Sequence, residues 1–420
     1  MQMRETKNLE FKEKVSNTFL KTVSAYANYG TGKIIFGLTD SGKAVGINDP
    51  VATCLKIENT INDAIKPNPK YDLDIDSDKK LVVLTVHQGK FPPYFYKSKA
   101  YKRNDSSSIE VDPLELSELI LKGNNRSYDS LPAPDQDLSF EFLKRTFQRD
   151  LGISDLTRDT LITLNLYEQG SGYTIAGELL ADQNTFRGID MVRFGSDINT
   201  MRERVIYEKE SILREYEESI TKYQQYYQYE QVVGAYRQKL ELIPEDAFRE
   251  ALANALVHRN WAINAQIKVA MFDDRIEITS PGNLPQGLSK ESYLNGEISV
   301  LRNPIIANIF FRLKIIEQFG TGIQRILTSY SDSTIQPQFS VSENSVKIIL
   351  PIIQNEASLT GDLKLVYDSL QSIPLATSDL MQVTGFSRSK LVKLLNELIA
   401  QGYAVKLGRG RGTKYCRAQK

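Results

Sequence analysis

The sequence predicts a multidomain protein of the α+β (mixed α/β) class, and three observations lead there. The 420 residues exceed what one hydrophobic core organises, so about two to four domains are expected. Short apolar runs bounded by Gly, Pro and Asp turns alternate with segments of helical period across residues 1–125 and again across 235–352. Residues 361–420 carry two helices, a tight turn, a third helix and a short strand pair around an Arg/Gly-rich tip.

The elements follow in order. Lys14–Asn28 places Val15, Phe19, Val23 and Tyr26 at helical spacing and stops at Asn28-Tyr29-Gly30. Lys33–Leu38 reads as a buried strand, Asp40-Ser41-Gly42 as a turn and Ala44–Ile47 as the returning strand. Cys54–Ile65 is helical until Pro67, Leu81–Val86 is a strand, and residues 94–103 form a hairpin whose tip is expected to be exposed and basic. Asn124–Asp137 is polar with two prolines and reads as a linker that leads into a connecting region, 126–234. Within that region 138–200 is mixed, and 201–230 reads as one long polar helix whose tyrosines (Tyr216, Tyr223, Tyr226, Tyr227, Tyr229) pack against neighbours. From Pro244 come a helix to Leu256, strands Ile267–Phe272 and Arg275–Thr279, helices Pro304–Phe310 and Ile323–Leu327, and a closing strand Ser345–Leu350.

Composition narrows the function classes. The chain is 41% hydrophobic and 25% charged, proportions of an ordinary globular protein rather than a disordered or collagenous one. Formal net charge is zero, so contact with nucleic acid requires local basic patches. The charged start lacks an apolar core of a leader, and no run of about 18 apolar residues suits a membrane span; a cytoplasmic location is expected. Cys54 and Cys416 offer neither a disulfide framework nor zinc spacing, and His87 and His258 are the two histidines. A metal site would therefore use carboxylates, carbonyls or amides, which favours Mg²⁺ or Mn²⁺.

In the first 125 residues, Glu5-Thr6-Lys7-Asn8-Leu9-Glu10-Phe11-Lys12, then Ser24-Ala25-Tyr26-Ala27-Asn28 and Gly37-Leu38-Thr39-Asp40-Ser41-Gly42, together resemble the Schlafen/AlbA-type domain of bacterial transcriptional regulators. The resemblance implies nucleic-acid contact. Residues 1–104 hold 17 basic and 11 acidic side chains, and Lys97, Lys102 and Arg103 of the hairpin are candidate phosphate contacts. In nuclease-active relatives two glutamates and an aspartate hold a metal that cleaves RNA, and Glu5, Glu10 and Asp40 stand at matching positions. The alternative is that Glu5 and Glu10 pair with nearby lysines.

In the central stretch Glu250 and Asn254 lie one helical turn apart on one face. With Gly282, Asn283 and Glu317-Gln318-Phe319-Gly320-Thr321-Gly322, this resembles the α/β sandwich of the ATPase superfamily of gyrase, heat-shock chaperones, histidine kinases and MutL (GHKL), in the form labelled "RecG C-terminal". The resemblance implies Glu250 as the base that activates water, Asn254 as the Mg²⁺ ligand, and His258, Gly282, Gly320 and Gly322 as contacts to ATP. Two departures bear on this. Ser280 stands where catalytic members place an adenine-reading Asp, and Leu284 replaces a glycine. The alternatives are a domain kept for dimerisation or packing, with His258 structural. No Walker A sequence occurs, so helicase activity is not expected.

In residues 361–420, Ser378 and Asp379 open a second helix, Thr384-Gly385-Phe386-Ser387 is the tight turn, and Leu391, Leu394, Leu395 and Leu398 form one face of the third. Its polar face offers Arg388, Ser389, Lys390 and Lys393, and the tip offers Arg409, Arg411 and Lys414. This resembles a winged helix-turn-helix with the third helix in the major groove and the tip at phosphates; use of the same fold for protein contact is the alternative. The whole sequence thus reads as a regulator of double-stranded DNA, acting as a homodimer, gated by a nucleotide or other ligand, with RNA as a second candidate partner. The rivals are a metal-dependent nuclease, an ATPase and a non-catalytic assembly protein.

Overall fold

The computed structural model describes residues 4–420 apart from 154, 234–235, 286–287, 297–299, 318–319, 332, 334, 354–360, 372, 401–402, 409 and 419–420. The chain divides into two compact units, Met1–Leu131 with Pro285–Gly287, and Pro132–Leu284 with Leu288–Lys420. The first division falls inside the polar stretch 124–137.

The first unit is built around helix Phe19–Tyr29. Nine of its residues are buried, from Phe19 to Asn28, so this helix reads as core on nearly every side, and each fully buried large apolar side chain contributes about 1.5–3 kcal/mol. It starts four residues after Val15, because Ser16, Asn17 and Thr18 form a turn first. A four-stranded sheet runs in the order Leu9–Lys12, Gly32–Phe36, Leu81–Val86, Tyr71–Asp76. The first pair is parallel and the others antiparallel. Two of these strands were not foreseen. Leu9–Lys12 is four residues long, and Tyr71–Asp76 is half acidic, an edge strand with three exposed positions. The returning strand expected at Ala44–Ile47 is a single bridge, Leu38 to Ala44. A second four-stranded sheet takes in the hairpin of Phe95–Tyr96 and Lys99–Asn104. Helix Pro50–Ala64 starts at Asp49, which accepts from the Ala52 amide, with Pro50 in its first turn. Helix Pro113–Gly123 starts with an Asp112/Glu115 capping box.

In the second unit a six-stranded sheet runs Met201–Tyr207, Ile189–Phe194, Ile267–Met271, Arg275–Pro281, Ser345–Pro351, Gln338–Val341. Ile189–Phe194 and Ile267–Met271 are parallel and every other neighbouring pair is antiparallel. Helix Glu245–His258 packs on the Arg275–Pro281 and Ser345–Pro351 strands and meets helices Ile212–Tyr227, Pro304–Arg312 and Gly322–Thr328. The expected long helix over 201–230 is corrected here. Residues 201–207 alternate and form an edge strand, and the helix is Ile212–Tyr227. The sheet therefore draws two strands and a helix from the region read as a connector. Tyr216, Tyr223 and Tyr227 are buried; Tyr223 stacks on Phe248 at 4.5 Å and on Tyr227 at 5.9 Å, so these rings are packing groups.

Residues 361–418 give helices Gly361–Ser369, Thr377–Thr384 and Arg388–Ala400 and a three-stranded sheet in the order Leu375–Ala376, Lys414–Arg417, Ala404–Leu407. Val366, Leu370, Leu380, Leu391, Leu395, Leu398 and Tyr415 are in their shared core. Gly385 at φ 70° ends the second helix in the left-handed region, where a side chain is strained.

Candidate functional site

Glu10 lies on strand Leu9–Lys12 and is 4% exposed. One carboxylate oxygen accepts from Thr22 Oγ1 at 2.7 Å and from Arg103 Nη1. The other meets Lys12 Nζ at 2.6 Å. Glu5 Oε1 accepts from the Phe11 backbone amide at 2.8 Å, and Asp40 is exposed in a turn. Among the described residues, no three His, Cys, Asp or Glu side chains form a group able to hold a metal ion. Glu5, Glu10 and Asp40 are thus not brought together, and Glu10 is committed to cations.

The basic hairpin is corrected as well. Tyr101 and Arg103 share one face of strand Lys99–Asn104, which packs on helix Phe19–Tyr29, and Lys102 lies on the other. Arg103 is 8% exposed and held by Glu10, and Lys102 reaches Glu115 at 2.6 Å. Neither forms an exposed tip. Lys97 is exposed, at φ 50° in the turn, and lies over the Tyr96 ring at 5.5 Å.

In the second unit Glu250 is 7% exposed, and its Oε1 accepts from Asn254 Nδ2 at 3.1 Å. Desolvation raises the Glu250 pKa, eased by Arg325 and by the Asn254 hydrogen bond. Asn254 spends its amide N–H on Glu250, which leaves its carbonyl oxygen, the atom Mg²⁺ takes, outside that bond. Gly322, the first residue of helix Gly322–Thr328, sits against this pair. A Cβ there would lie 2.4 Å from Glu250 Oε1 and 2.7 Å from Asn254 Nδ2. The two segments most alike to the ATPase pattern therefore converge, although 72 residues separate Glu250 from Gly322. Gln318 and Phe319 of the Gly-rich stretch lie outside the described residues, and Gly320 is at φ 67°.

The other expected contacts have local duties. Ser280 is 7% exposed and donates to the Ala255 carbonyl at 2.8 Å, so its hydroxyl proton is spent on the Glu245–His258 helix. Gly282, at φ 109°, lets the backbone close on Asn260; a Cβ would lie 2.6 Å from Asn260 Cβ. His258 is partly buried, and desolvation, reinforced by Arg302, pushes its pKa down to about 4. Sequence reading gave no role to the groups that seal this helix end. Asn303 is fully buried and donates to the carbonyls of Val257 at 2.7 Å and Arg259 at 2.8 Å. Arg259, 1% exposed, lies 4.0 Å from the Trp261 ring and donates to the Arg187 and Ala265 carbonyls. The signal for Asn303 was its place before Pro304, at the start of a helix.

At the end of the chain Arg388, Ser389, Lys390 and Lys393 are exposed on helix Arg388–Ala400, opposite buried Leu391, Leu395 and Leu398. Lys390 pairs with Asp362 at 2.6 Å and lies over Phe386 at 4.0 Å. Lys406 and Lys414 are exposed on the strand pair. Arg409 lies outside the described residues, as does the side chain of Arg411. No helix among the described residues is long and apolar enough to cross a membrane.

Comparison with known proteins agrees with this order of parts. Residues 264–350 match the family described as "Putative ATP-dependent DNA helicase recG C-terminal". No curated protein matches the chain. One solved structure, the DIP2311 protein from Corynebacterium diphtheriae, aligns with 98% of this chain and 92% of its own, at 17% identity and a TM-score of 0.49. Residues 5–112 match the Schlafen, AlbA_2 family and residues 370–418 the C-terminal domain of DIP2311-like transcriptional regulators. The chain therefore carries, in sequence order, segments similar to a Schlafen AlbA_2 domain, a RecG C-terminal ATPase-like domain and the C-terminal domain of a transcriptional regulator.

Proposed function

We propose that this protein is a DNA-binding transcriptional regulator whose central domain takes a nucleotide or similar small ligand as a gate. The observation that carries the reading is the exposure of Arg388, Lys390, Lys393, Lys406 and Lys414, in a stretch, 385–420, whose sequence holds nine basic residues against the single acidic Glu397. Arg388, Ser389 and Lys393 stand on the solvent side of a helix whose other face is core. That is the arrangement a winged helix-turn-helix uses, with the third helix in the major groove and the strand pair at the backbone. The likeness of residues 370–418 to a regulator's C-terminal domain supports it. A homodimer on paired half-sites is part of the proposal, since one small reading head addresses few base pairs.

The gating half rests on Glu250, Asn254 and Gly322. A desolvated carboxylate, an amide carbonyl and a close-approaching glycine suit a nucleotide phosphate and its Mg²⁺. Ser280 does not replace the adenine-reading carboxylate, which favours binding with little preference for the base.

The test is fluorescence anisotropy of the full chain on labelled double-stranded DNA from its own upstream region, across a salt series. The logarithm of affinity should fall linearly with the logarithm of salt. Lys393→Ala should weaken binding alike on all sequences and reduce the salt slope by about 1. Salt-insensitive binding, or none, would sink the regulator.

A further inference from the structure

Phe91 is the most exposed aromatic ring among the described residues, at 67%, with Tyr229 next at 42%. A lone apolar side chain on the surface is ordinary; what sets this one apart is how firmly its loop is held. The Gly89 amide donates to the Ala27 carbonyl at 2.8 Å. On the far side, the Tyr94 amide donates to Asn28 Oδ1 at 2.6 Å, and the Tyr94 carbonyl accepts from Ser24 Oγ at 2.6 Å and from Asn28 Nδ2 at 3.1 Å. Ser24 and Asn28 are fully buried, so both ends of the Ser24–Asn28 stretch spend their side chains on this loop. Between the anchors Pro92 and Pro93 each fix a φ angle. The end of helix Pro113–Gly123 closes on the loop: a Cβ on Gly123 would lie 1.6 Å from the Pro92 carbonyl oxygen and 3.4 Å from the Phe91 carbonyl carbon. The fold thus holds a large apolar ring in water on a rigid mount, and little freedom of the loop is left to lose on binding.

The cations beside the ring are uncompensated. Lys90 precedes Phe91 and Lys122 precedes Gly123; both are exposed, and neither forms an ion pair among the described residues. Partial desolvation lowers the Lys122 pKa, and no carboxylate acts to offset it. The acids closest along the chain or the sheet are otherwise placed. Glu118, one helical turn before Lys122, is not among the groups that act on it. Asp72 is held by His87 at 2.6 Å and Glu115 by Lys102 at 2.6 Å. An aromatic face beside free cations is what single-stranded nucleic acid uses, with a base stacked on the ring and phosphates at the cations. An acidic peptide would answer the lysines and leave the ring without a flat partner. A base reaches the ring only when it is unpaired, and RNA presents unpaired bases in its loops and ends. We propose that Phe91, Lys90 and Lys122 form a binding surface for single-stranded RNA, with one base stacked on Phe91 and with Ser24 and Asn28 as the positioning residues of its loop. This surface lies outside the DNA-reading and gating surfaces proposed above and does not depend on them.

The experiment is fluorescence anisotropy of the full chain with a short labelled RNA free of self-complementarity, across a salt series. Phe91→Ala should weaken binding about 5- to 150-fold, the cost of one lost stack, and leave the thermal melt unchanged because the ring is exposed. Phe91→Trp should keep the affinity, and its added indole should be quenched by the RNA while Trp261, 3% exposed, is not. Lys90→Ala and Lys122→Ala should each reduce the salt slope by about 0.7. No binding, or equal affinity in the wild type and Phe91→Ala, overturns the proposal. An affinity that follows Lys393→Ala instead puts the RNA on the last helix and overturns it too. DNA of the same sequence bound as tightly overturns the assignment to RNA. Weaker self-association of Phe91→Ala in sedimentation equilibrium, with RNA affinity unchanged, gives the face to a second copy of this chain. Absence of binding to double-stranded DNA would sink the regulator and leave this result standing.

Discussion

Glu10 and Glu250 are both buried glutamates that the sequence offers as candidate catalytic residues, yet their surroundings differ. Glu10 is clasped by Arg103, Lys12 and Thr22, so both oxygens are used and the charge is neutralised within the protein. Glu250 has a neutral hydrogen-bond partner, Asn254, and feels Arg325 and Arg249 only through space, so desolvation still raises its pKa. A carboxylate closed into an ion pair holds strands together. A carboxylate left with low hydration and one amide neighbour is poised to exchange a proton or accept a ligand's charge. The same residue type is thus closed into an ion pair in one unit and left desolvated beside an amide in the other.

Substitutions can break or sharpen this contrast. Arg103→Ala should have the largest effect, up to about 3–5 kcal/mol in urea denaturation, because it removes the more deeply buried of the two cations on Glu10 and leaves the charge to the more exposed Lys12; a loss under about 1 kcal/mol would mean that Glu10 is not locked. Gly322→Ala should cost up to about 3 kcal/mol through the clash with Glu250 and Asn254. It should also abolish any thermal shift with ATP and Mg²⁺, and a preserved shift would place the ligand elsewhere.

Acid sensitivity comes next. Burial holds the folded-state pKa of His258 down at about 4, against about 6.5 in an unfolded chain. The unfolded state therefore takes the proton first, and stability falls as pH drops from about 6.5 toward 4. His258→Gln should recover about 2 kcal/mol of the stability lost between pH 7 and 4.5. An unchanged loss would show that the ring is hydrated. The smallest effect belongs to Glu250→Gln, a shift under about 1 kcal/mol of either sign, since the site disfavours charge. Glu10→Gln, measured beside it, should be clearly the more damaging of the two.

Much of the fold was legible. The Glu245–His258 helix, the Leu81–Val86 strand and the strand Ser345–Pro351 lie within a few residues of their expected places, because each has a strong period or a proline or glycine at its boundary. The polar face of helix Arg388–Ala400 was readable for the same reason, since a strict apolar stripe leaves the remaining positions to solvent. Met201–Tyr207 and Tyr71–Asp76 were not, because edge strands are short and carry charges that mimic helix or loop composition. Among the candidate residues, Glu250 and Asn254 share a face by helical spacing alone, whereas the approach of Gly322 and the turning of Ser280 onto Ala255 came from packing.

By itself the sequence determined much of what is local: most of the helices and core strands, their ends to within a few residues, and which side of each is apolar. Those follow from dihedral preferences and from side-chain periodicity over a few residues. The tertiary structure alone decided which charges vanish from the surface. Arg103 looked like part of a basic tip, and 93 residues separate it from Glu10. No local period encodes that pairing. Both residues had to be brought to helix Phe19–Tyr29 by strands in separate sheets before the buried ion pair could exist.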